Sequence, residues 1–377
     1  MSDAVRAALA TVIDGGTLDR DEAHRAMAAV MDGESTPAQL AALLVALRMR
    51  GETVDELTGF ASAMRERVLR VEAPAGAMDI VGTGGDGSGT FNISTTTAFL
   101  VAAAGVPVAK HGNRAITSRS GSADVLDALG VRIDHDADSA AAALRSIGFA
   151  FLFAPGFHPA MRHAGPTRRE IGVRTAFNLI GPVTNPAGTR RQLVGVGDPV
   201  AAPKLAEVLR VLGTERALVV HGAGVDELPL DGSGVIHDVT PGGVVRREVD
   251  VAALGLAPAA TAELAGGSPA ENAALVDAIL AGTERGPRRA VVLLNAGAAF
   301  IAAGRAMDLA NGIAQAAAVL DSGAATRLLA RLRAERLAAD AARAAGAAAA
   351  ARAAGAAGTA EAQDAARVPT ASSEVRA

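Results

Sequence analysis

The sequence predicts an α/β protein in which a small N-terminal helical domain precedes a large domain with a mostly parallel central sheet flanked by helices. Residues 5–69 show the apolar spacing of helices, whereas from residue 79 onward short β-branched runs alternate with helical segments. Alternation of strands and helices is typical of a parallel sheet covered by helices. A chain of 377 residues with 50% apolar content is long enough for one large and one smaller domain.

The N-terminal helices are recognised from their start signals and apolar spacing. Thr36-Pro37 places a proline where a helix begins. The residues that then recur on one helical face are Leu40, Leu43, Leu44 and Leu47. A further helix is expected at 54–69. We predict a small helical domain over residues 1–72, joined by about residues 162–188, and this bundle either packs on a twin subunit or is an ordinary solvated subdomain.

The large domain is predicted over residues 73–336, after a hinge-like linker at 70–77. Its strands are expected at 79–81, 106–109, 149–153 and 217–221, and its helices at 94–104, 122–129 and about 200–212. Residues 232–249 indicate a hairpin with its turn at 241–243. Helices at 269–281 and 309–333 flank an apolar run at 290–294. Residues 337–377 are rich in alanine and cannot bury a core, so we expect a frayed helix or disorder there.

Composition excludes several classes of protein. A net charge of −4 and a pI near 6.0 argue against bulk attraction to nucleic acid or to an anionic membrane. The absence of cysteine removes disulfides, thiolate zinc sites and cysteine nucleophiles. The N-terminus lacks the apolar core of a secretory signal, and the longest apolar runs are too short to span a bilayer. We therefore expect a cytoplasmic protein with no membrane and no nucleic-acid partner.

A glycine-rich loop follows the strand at 79–81 and leads into a helix. Five glycines lie between residues 82 and 89, where backbone freedom lets a loop wrap a ligand. Asn92, Ser94 and Thr95 are helix-capping types, and a helix N-terminus is a ready site for an anion such as phosphate. A dinucleotide loop requires an acidic residue roughly 20 positions on, and a Walker loop requires a Gly-Lys pair. Neither is present, although a plain flexible turn remains an alternative.

Two later segments repeat the pattern of strand followed by glycine turn. Lys110, one of two lysines in the chain, follows the strand at 106–109 and offers a compact point charge, unless it is simply solvated. Asp226 and Glu227 follow the strand at 217–221 and are hard oxygen ligands suited to magnesium, unless they are only surface carboxylates. Polar turns that end parallel strands meet at one edge of a sheet. The three segments therefore predict a phosphate and magnesium site.

The histidines do not indicate a metal site. His158 and His163 are five residues apart, which is not the i, i+4 spacing of a helical zinc pair. We interpret His158 as a residue of the pocket wall. No Gly-x-Ser-x-Gly nucleophile elbow is obvious in the strand-to-helix turns.

Taken together, these motifs resemble the anthranilate phosphoribosyltransferase family. The segments that carry the resemblance are Gly82-Thr-Gly-Gly-Asp86, Asn92-Ile-Ser-Thr95, Lys110-His-Gly-Asn-Arg114, Ser120-Gly-Ser-Ala-Asp124, Phe157-His-Pro-Ala-Met161, Phe177-Asn-Leu-Ile-Gly-Pro-Val-Thr-Asn-Pro186 and Asp226-Glu227. The likeness runs in register from about residue 5 to residue 333. It implies a homodimer formed through the helical domain, with the fold of the pyrimidine nucleoside phosphorylases. It also implies the second step of tryptophan biosynthesis from chorismate, in which a phosphoribosyl group passes from phosphoribosyl pyrophosphate to the amino group of anthranilate.

The resemblance implies a role for each matching residue. Phosphoribosyl pyrophosphate would be held by Gly82, Gly85, Asp86, Thr90, Asn92, Ile93, Ser94, Thr95, Lys110, His111, Gly112, Asn113, Arg114, Ala115, Ile116, Thr117, Ser118 and Ser122. Anthranilate would lie against Gly82, Asn113, His158 and Arg168. Two Mg²⁺ ions are implied, one on Ser94 and Glu227 and one on Asp226 and Glu227. Lys110, Asp226 and Glu227 would be the catalytic residues.

One feature departs from the family pattern, and two rival functions remain open. The turn Gly222-Ala-Gly-Val225 is shorter than the family's usual one, which leaves the reach of Asp226 less certain. A nucleoside phosphorylase of the same fold is the nearest rival, although that group lacks His111-Gly-Asn113 after its lysine. A non-catalytic nucleic-acid-binding relative is the other, although the acidic composition of this chain argues against it.

Overall fold

The computed structural model describes residues 2–115 and 119–365. The strands are β1 (Met78–Gly82), β2 (Val108–Gly112), β3 (Phe149–Phe153), β4 (Arg191–Gly195), β5 (Arg216–His221), β6 (Val235–Thr240) and β7 (Gly243–Glu248). The α-helices are α1 (Asp3–Ile13), α2 (Arg20–Met31), α3 (Pro37–Arg50), α4 (Val54–Glu66), α5 (Ile93–Ala103), α6 (Ser122–Ala128), α7 (Ala137–Ser146), α8 (Ala154–Phe157), α9 (Gly165–Ile171), α10 (Ala176–Ile180), α11 (Ala201–Val211), α12 (Pro269–Leu280), α13 (Pro287–Ala302), α14 (Leu309–Asp321) and α15 (Ala324–Ala365). Short 3₁₀ helices lie at Pro159–Arg162, Gly181–Val183 and Thr261–Leu264.

The strands form one sheet in the order β3-β2-β1-β4-β5-β6-β7. The first five strands in this order run parallel. Strands β6 and β7 complete the sheet as an antiparallel hairpin. The chain lays down β2 and β3 on one side of β1 and then returns to β4 on the other side. Ligands of open α/β sheets bind at such a reversal, at the carboxyl ends of the strands. This architecture confirms the predicted fold class.

Each face of the sheet is covered by its own hydrophobic core. On one face, Ile80 of β1 and Leu218 of β5 pack with side chains of α5 and α13. On the other face, Val81 and Val219 share a core with α11 and with the N-terminal helices. That second core also contains Ala164 and Phe177 from the 162–188 segment. The helical bundle therefore rests on the sheet, while the proposed domain bounds stay a prediction.

Short sequence patterns predicted the positions of most helices and strands to within a few residues. Thr36 caps α3 through a reciprocal capping box, and Leu40, Leu43, Leu44 and Leu47 form its buried face. Gly172 ends α9 in the left-handed conformation, and the hairpin turn at 241–243 joins β6 to β7. The helix start at Thr36-Pro37, the apolar face of α3 and the turn at 241–243 were expected from proline, apolar spacing and glycine.

Several expectations about individual elements were wrong or incomplete. Lys110 and His111 lie within β2, and not in the turn after it, because this strand covers Val108–Gly112 and ends three residues later than predicted. Strand β4 and helix α7 were not predicted at all. The run at 290–294 is the start of the buried helix α13, and the helix expected at 309–333 is divided at Gly323, whose φ is 71°.

The alanine-rich tail continues the helix α15 as far as Ala365. Ion pairs such as Arg336–Asp127, with a nitrogen–oxygen distance of 2.7 Å, attach the first half of α15 to the rest of the large domain. None of the described helices is both long and apolar enough to cross a lipid bilayer.

Candidate active site

The glycine loop after β1 folds against the acidic pair that follows β5. The Gly84 amide donates to Asp226 Oδ2 at 2.7 Å, and the Asp226 amide donates to Asp86 Oδ2 at 3.2 Å. A Cβ atom on Gly82 would lie 2.3 Å from Asp226 Oδ2, so no side chain fits there. Gly82, Asp86 and Asp226 are thus brought together by the fold. Gly85 lies exposed in the loop, and its carbonyl accepts a hydrogen bond from Arg174 at 2.7 Å.

A tight turn at Gly222–Val225 sets the position of the acidic pair. Gly222 and Val225 exchange both backbone hydrogen bonds, and Ala223 and Gly224 have φ values of 48° and 78°. Positive φ at both central residues is the type I′ geometry, which reverses a chain through a loop of two residues. The shorter turn therefore places Asp226 in contact with the glycine loop.

Both carboxylates of the pair are harder to ionise than in water. Burial of its carboxyl group raises the pKa of Asp226 to about 7, and repulsion from Asp86 adds to this effect. Burial, followed by repulsion from Asp226, raises the pKa of Glu227 well above its usual range. Two adjacent buried carboxylates disfavour a second negative charge unless a cation is near. The pair is thus electrostatically suited to a positive ion.

Lys110 crosses from β2 towards these carboxylates. Its side chain is 2% exposed, and its ammonium group donates to the Ile80 carbonyl at 2.5 Å and to Ser94 Oγ at 3.3 Å. Burial lowers the pKa of Lys110, while the negative charges of Asp79, Glu227 and Asp226 oppose that shift. The Ser94 backbone N–H, which faces Glu227, in turn lowers the pKa of that carboxyl. The ends of β1, β2 and β5 therefore meet at one place.

The donor set around Ser94 and the acidic pair fits magnesium only in part. Ser94 supplies a hydroxyl, and Asp226 and Glu227 supply carboxylates, which are the hard oxygen ligands that Mg²⁺ prefers. Among residues 2–115 and 119–365, no three histidine, aspartate or glutamate side chains come together as a metal site. Mg²⁺ characteristically completes its coordination with water and substrate phosphates. The residues present fit that kind of shared site.

Most side chains at the start of α5 are buried or hydrogen-bonded within the protein. Asn92 occupies the N-cap position, but its side-chain amide hydrogen-bonds to Ser120 and Asn272 and does not cap the helix. Ile93 and Thr95 are 1% and 0% exposed, so their side chains point into the protein and not towards a ligand. Thr90 Oγ1 lies 3.2 Å from Ser88 Oγ at the mouth of the loop. This arrangement suits an anion held by N–H groups at a helix terminus.

The segment after β2 is organised by Asp124 of α6. Its Oδ2 accepts the amides of Ala115 at 2.9 Å and Gly121 at 3.0 Å, and its Oδ1 accepts Arg114 Nη1 at 2.8 Å. Ser122 Oγ donates to the carbonyl of Asn113, whose side chain is exposed. Gly112 packs so closely that a Cβ would lie 2.3 Å from Ser122 Oγ. The predicted site residues Ile116, Thr117 and Ser118 lie outside the described residues.

The predicted acceptor residues are only partly brought together. His111 and His158 face each other with their Nε2 atoms 3.2 Å apart. Burial lowers the pKa of His111 to about 3 and that of His158 to about 4, so both rings are neutral near pH 7. Arg168 lies over the ring of Phe177 at 4.7 Å, and burial lowers its pKa. Within the described residues, no side-chain hydrogen bond joins Arg168 to the loops after β1, β2 or β5.

Sequence reasoning missed several residues that build this site. Gly195 ends the unpredicted strand β4, and a Cβ there would lie 1.6 Å from the Asp226 carbonyl. Arg174 contacts the glycine loop but is one of many arginines. Asn295 of α13, fully buried, donates to the Leu228 carbonyl and accepts its amide, both at 3.0 Å. Only the polar character of Asn295 within an apolar helix could have signalled its role.

Two family models together match most of the chain. The model described as the glycosyl transferase family, a/b domain, matches residues 75–326. The model described as the glycosyl transferase family, helical bundle domain, matches residues 6–68. The two matches follow the order of helical bundle and sheet found in the structure.

Named relatives agree with these models. The anthranilate phosphoribosyltransferase of Roseiflexus sp. (strain RS-1) is 52% identical over 330 residues, covering 87% of this chain and 97% of the relative. That of Pelotomaculum thermopropionicum is 50% identical over 330 residues, covering 87% and 95%. The crystal structure of the anthranilate phosphoribosyltransferase from Thermus thermophilus superposes with a TM-score of 0.82 at 47% identity, covering 87% of this chain and 99% of that one. The chain belongs to the anthranilate phosphoribosyltransferase family.

Proposed function

We propose that this protein transfers the phosphoribosyl group of phosphoribosyl pyrophosphate to the amino group of anthranilate, with release of pyrophosphate. The observation that carries the proposal is the meeting of three strand ends around Lys110, Ser94 and the Asp226–Glu227 pair. A glycine loop, a helix start and one ammonium group converge there on a single place. Such a set of groups suits a substrate that carries several phosphates.

The chain's own residues would act mainly on the leaving group. As the amine nitrogen bonds to the anomeric carbon, the bond from that carbon to pyrophosphate breaks and the amine releases a proton. Negative charge then builds on pyrophosphate, and Lys110 and the N–H groups at the start of α5 would stabilise it. An aromatic amine is already neutral at pH 7, so a strong base is not required. Holding both substrates in register supplies much of the remaining acceleration.

Magnesium fits this scheme as a bound cofactor. Ser94, Asp226 and Glu227 would hold it, and we infer two ions, one on Ser94 and Glu227 and one on Asp226 and Glu227. When bound, Mg²⁺ neutralises phosphate charge and orients the leaving group. The raised pKa values of both carboxyls support this assignment, because a divalent cation relieves their mutual repulsion.

The acceptor would enter from the side of the paired histidines. His111 and His158 are neutral near pH 7 and present flat, apolar faces suited to an aromatic ring. Arg168, with Gly82 and Asn113, would receive the acceptor, and its guanidinium would pair with the carboxylate. Because Arg168 is stacked on Phe177, this pairing requires the segment around α9 to approach the loops.

We also infer that the protein forms a homodimer through its helical domain and is cytoplasmic. Val45 and Met49 lie four residues apart on α3 and are 38% and 83% exposed, and Ile13 at the end of α1 is 66% exposed. Large apolar side chains on neighbouring helices favour burial against a second copy. Light scattering of the wild type and of Met49→Glu tests this inference. A monomeric wild type would contradict it.

The activity is tested by the loss of anthranilate fluorescence on addition of phosphoribosyl pyrophosphate and Mg²⁺. We expect signal loss that requires both additions and that Glu227→Gln slows strongly. A parallel assay with thymidine or uridine and orthophosphate tests the nucleoside phosphorylase alternative. Turnover in that second assay, with none in the first, would overturn the proposal.

A further inference from the structure

The strands β1 and β2 are neighbours in the sheet, yet they scarcely pair. Strand β1 is in register with β4 at five residues, from Met78↔Arg191 to Gly82↔Gly195. Strand β2 is likewise in register with β3 at five residues. Between β1 and β2 the register contains a single pair, Met78↔Val108. The two strands therefore separate immediately after they meet.

The phase of the interrupted ladder shows which backbone groups lose their partners. The Met78 amide donates to the Pro107 carbonyl at 2.9 Å, which sets the alternation of a parallel ladder. Continued by one step, that ladder would join the Ile80 amide to the Ala109 carbonyl. It would also join the His111 amide to the Ile80 carbonyl.

Three of these four backbone groups are bonded to side chains instead. The His111 amide donates to Asp79 Oδ1 at 3.1 Å. The Ala109 carbonyl accepts Asn185 Nδ2 at 2.8 Å, and the Ile80 carbonyl accepts Lys110 Nζ. Asn185 Nδ2 also lies 2.7 Å from Asp79 Oδ2. Three side chains thus replace one step of the ladder.

The side chains that replace the ladder hydrogen bonds are buried. Asp79 is 0% exposed and Asn185 is 5% exposed, so water does not compete for their bonds. Buried polar groups are costly unless a partner is supplied, and here the two carbonyls and the His111 amide each have one. Lys110 holds down the pKa of Asp79, which burial alone would raise further than its value of about 6. The network therefore links the opening between the strands to the ammonium group of the site.

We propose that Asp79 and Asn185 are positioning residues that hold the carboxyl ends of β1 and β2 apart and so place Lys110 for the leaving group. This inference rests on the proposed function for its catalytic consequence, but its structural part stands on the ladder alone. Without the two side chains, Ala109 and His111 would be free to pair with Ile80. The Ile80 carbonyl would then accept a backbone amide, and Lys110 would lose its anchor.

Isosteric exchanges test this proposal with little change in volume. Asn185→Asp sets two carboxyl groups against each other and removes the donor to Ala109. Asp79→Asn sets two amide groups against each other. The double exchange Asp79→Asn with Asn185→Asp restores one donor and one acceptor. Glu56→Gln is the matched control, because Glu56 is also 0% exposed and accepts the Leu18 and Thr53 amides at 2.9 and 2.8 Å in the helical bundle.

The expected result is a loss of turnover that does not follow general stability. A lost hydrogen bond to a charged group corresponds to roughly tenfold or more in an equilibrium. Because Lys110 acts on charge that builds during the reaction, each single exchange should lower kcat about tenfold with a smaller change in KM, and the double exchange should recover at least a part of that loss. Glu56→Gln should lower the melting temperature with kcat unchanged. Values of kcat that simply follow melting temperature across all four variants would overturn the proposal.

Hydrogen exchange gives a readout that does not depend on activity. In the single variants, the amides of residues 108–112 should exchange differently from the wild type, whereas Glu56→Gln should leave them unchanged. If the wild type transferred no phosphoribosyl group, the proposed function would fail while this measurement still tested the strand separation. Unchanged exchange in both single variants would remove Asp79 and Asn185 from the role assigned here.

Discussion

Replacing Lys110 with methionine tests the centre of the site most directly. The change keeps an unbranched side chain, one heavy atom shorter, but removes the charge 3.3 Å from Ser94 Oγ and the donor 2.5 Å from the Ile80 carbonyl. Losing one electrostatic contact in a catalytic site costs about 2–4 kcal/mol of barrier. This corresponds to a kcat about 30- to 900-fold lower. Stability should fall as well, because the Ile80 carbonyl loses its donor and the buried carboxyl of Asp79 loses a neighbouring positive charge.

The assay is the initial rate of anthranilate fluorescence loss at saturating phosphoribosyl pyrophosphate and Mg²⁺. Lys204→Met is the matched control, since Lys204 is the other lysine of the chain and donates to the Glu52 carbonyl at 2.9 Å, outside the site. We expect the control to retain its kcat. A Lys110→Met enzyme within threefold of the wild-type kcat would refute the role given to this residue.

Three further predictions concern pH, packing and the tail. Burial lowers the pKa of His158 to about 4, so the unfolded chain, titrating near 6.5, takes up its proton first as pH falls. The free energy of unfolding, measured with urea, should therefore fall as the pH is lowered from 6.5 towards 4. It should fall less steeply in His158→Gln. Gly195→Ala should abolish most activity, because its Cβ would lie 1.6 Å from the Asp226 carbonyl, whereas Gly156→Ala, with open space around it, should not. Truncation after Leu337, itself 71% exposed, should leave kcat within twofold, and a larger loss would contradict a peripheral tail.

Much of the local structure was readable from short stretches of sequence. Capping residues, glycines and apolar periodicity act through neighbours a few residues away, so the helices α3 and α5 and the strand β3 were located within a residue or two. The same local chemistry singled out the glycine loop, Lys110 and the acidic pair. These signals are local because φ preferences and helix caps depend on nearby backbone groups.

Only the tertiary structure decided how these segments meet. Gly84 and Asp226 are 142 residues apart, and Asp79 and Asn185 are 106 residues apart, yet each pair is joined by a hydrogen bond. The pairing of β1 with the unpredicted strand β4, and its separation from β2, set the position of Lys110. Such choices depend on which distant groups satisfy each buried donor and acceptor, and no local pattern records that competition. The sequence by itself therefore determined the chemical groups of the site, whereas long-range hydrogen bonding determined their geometry.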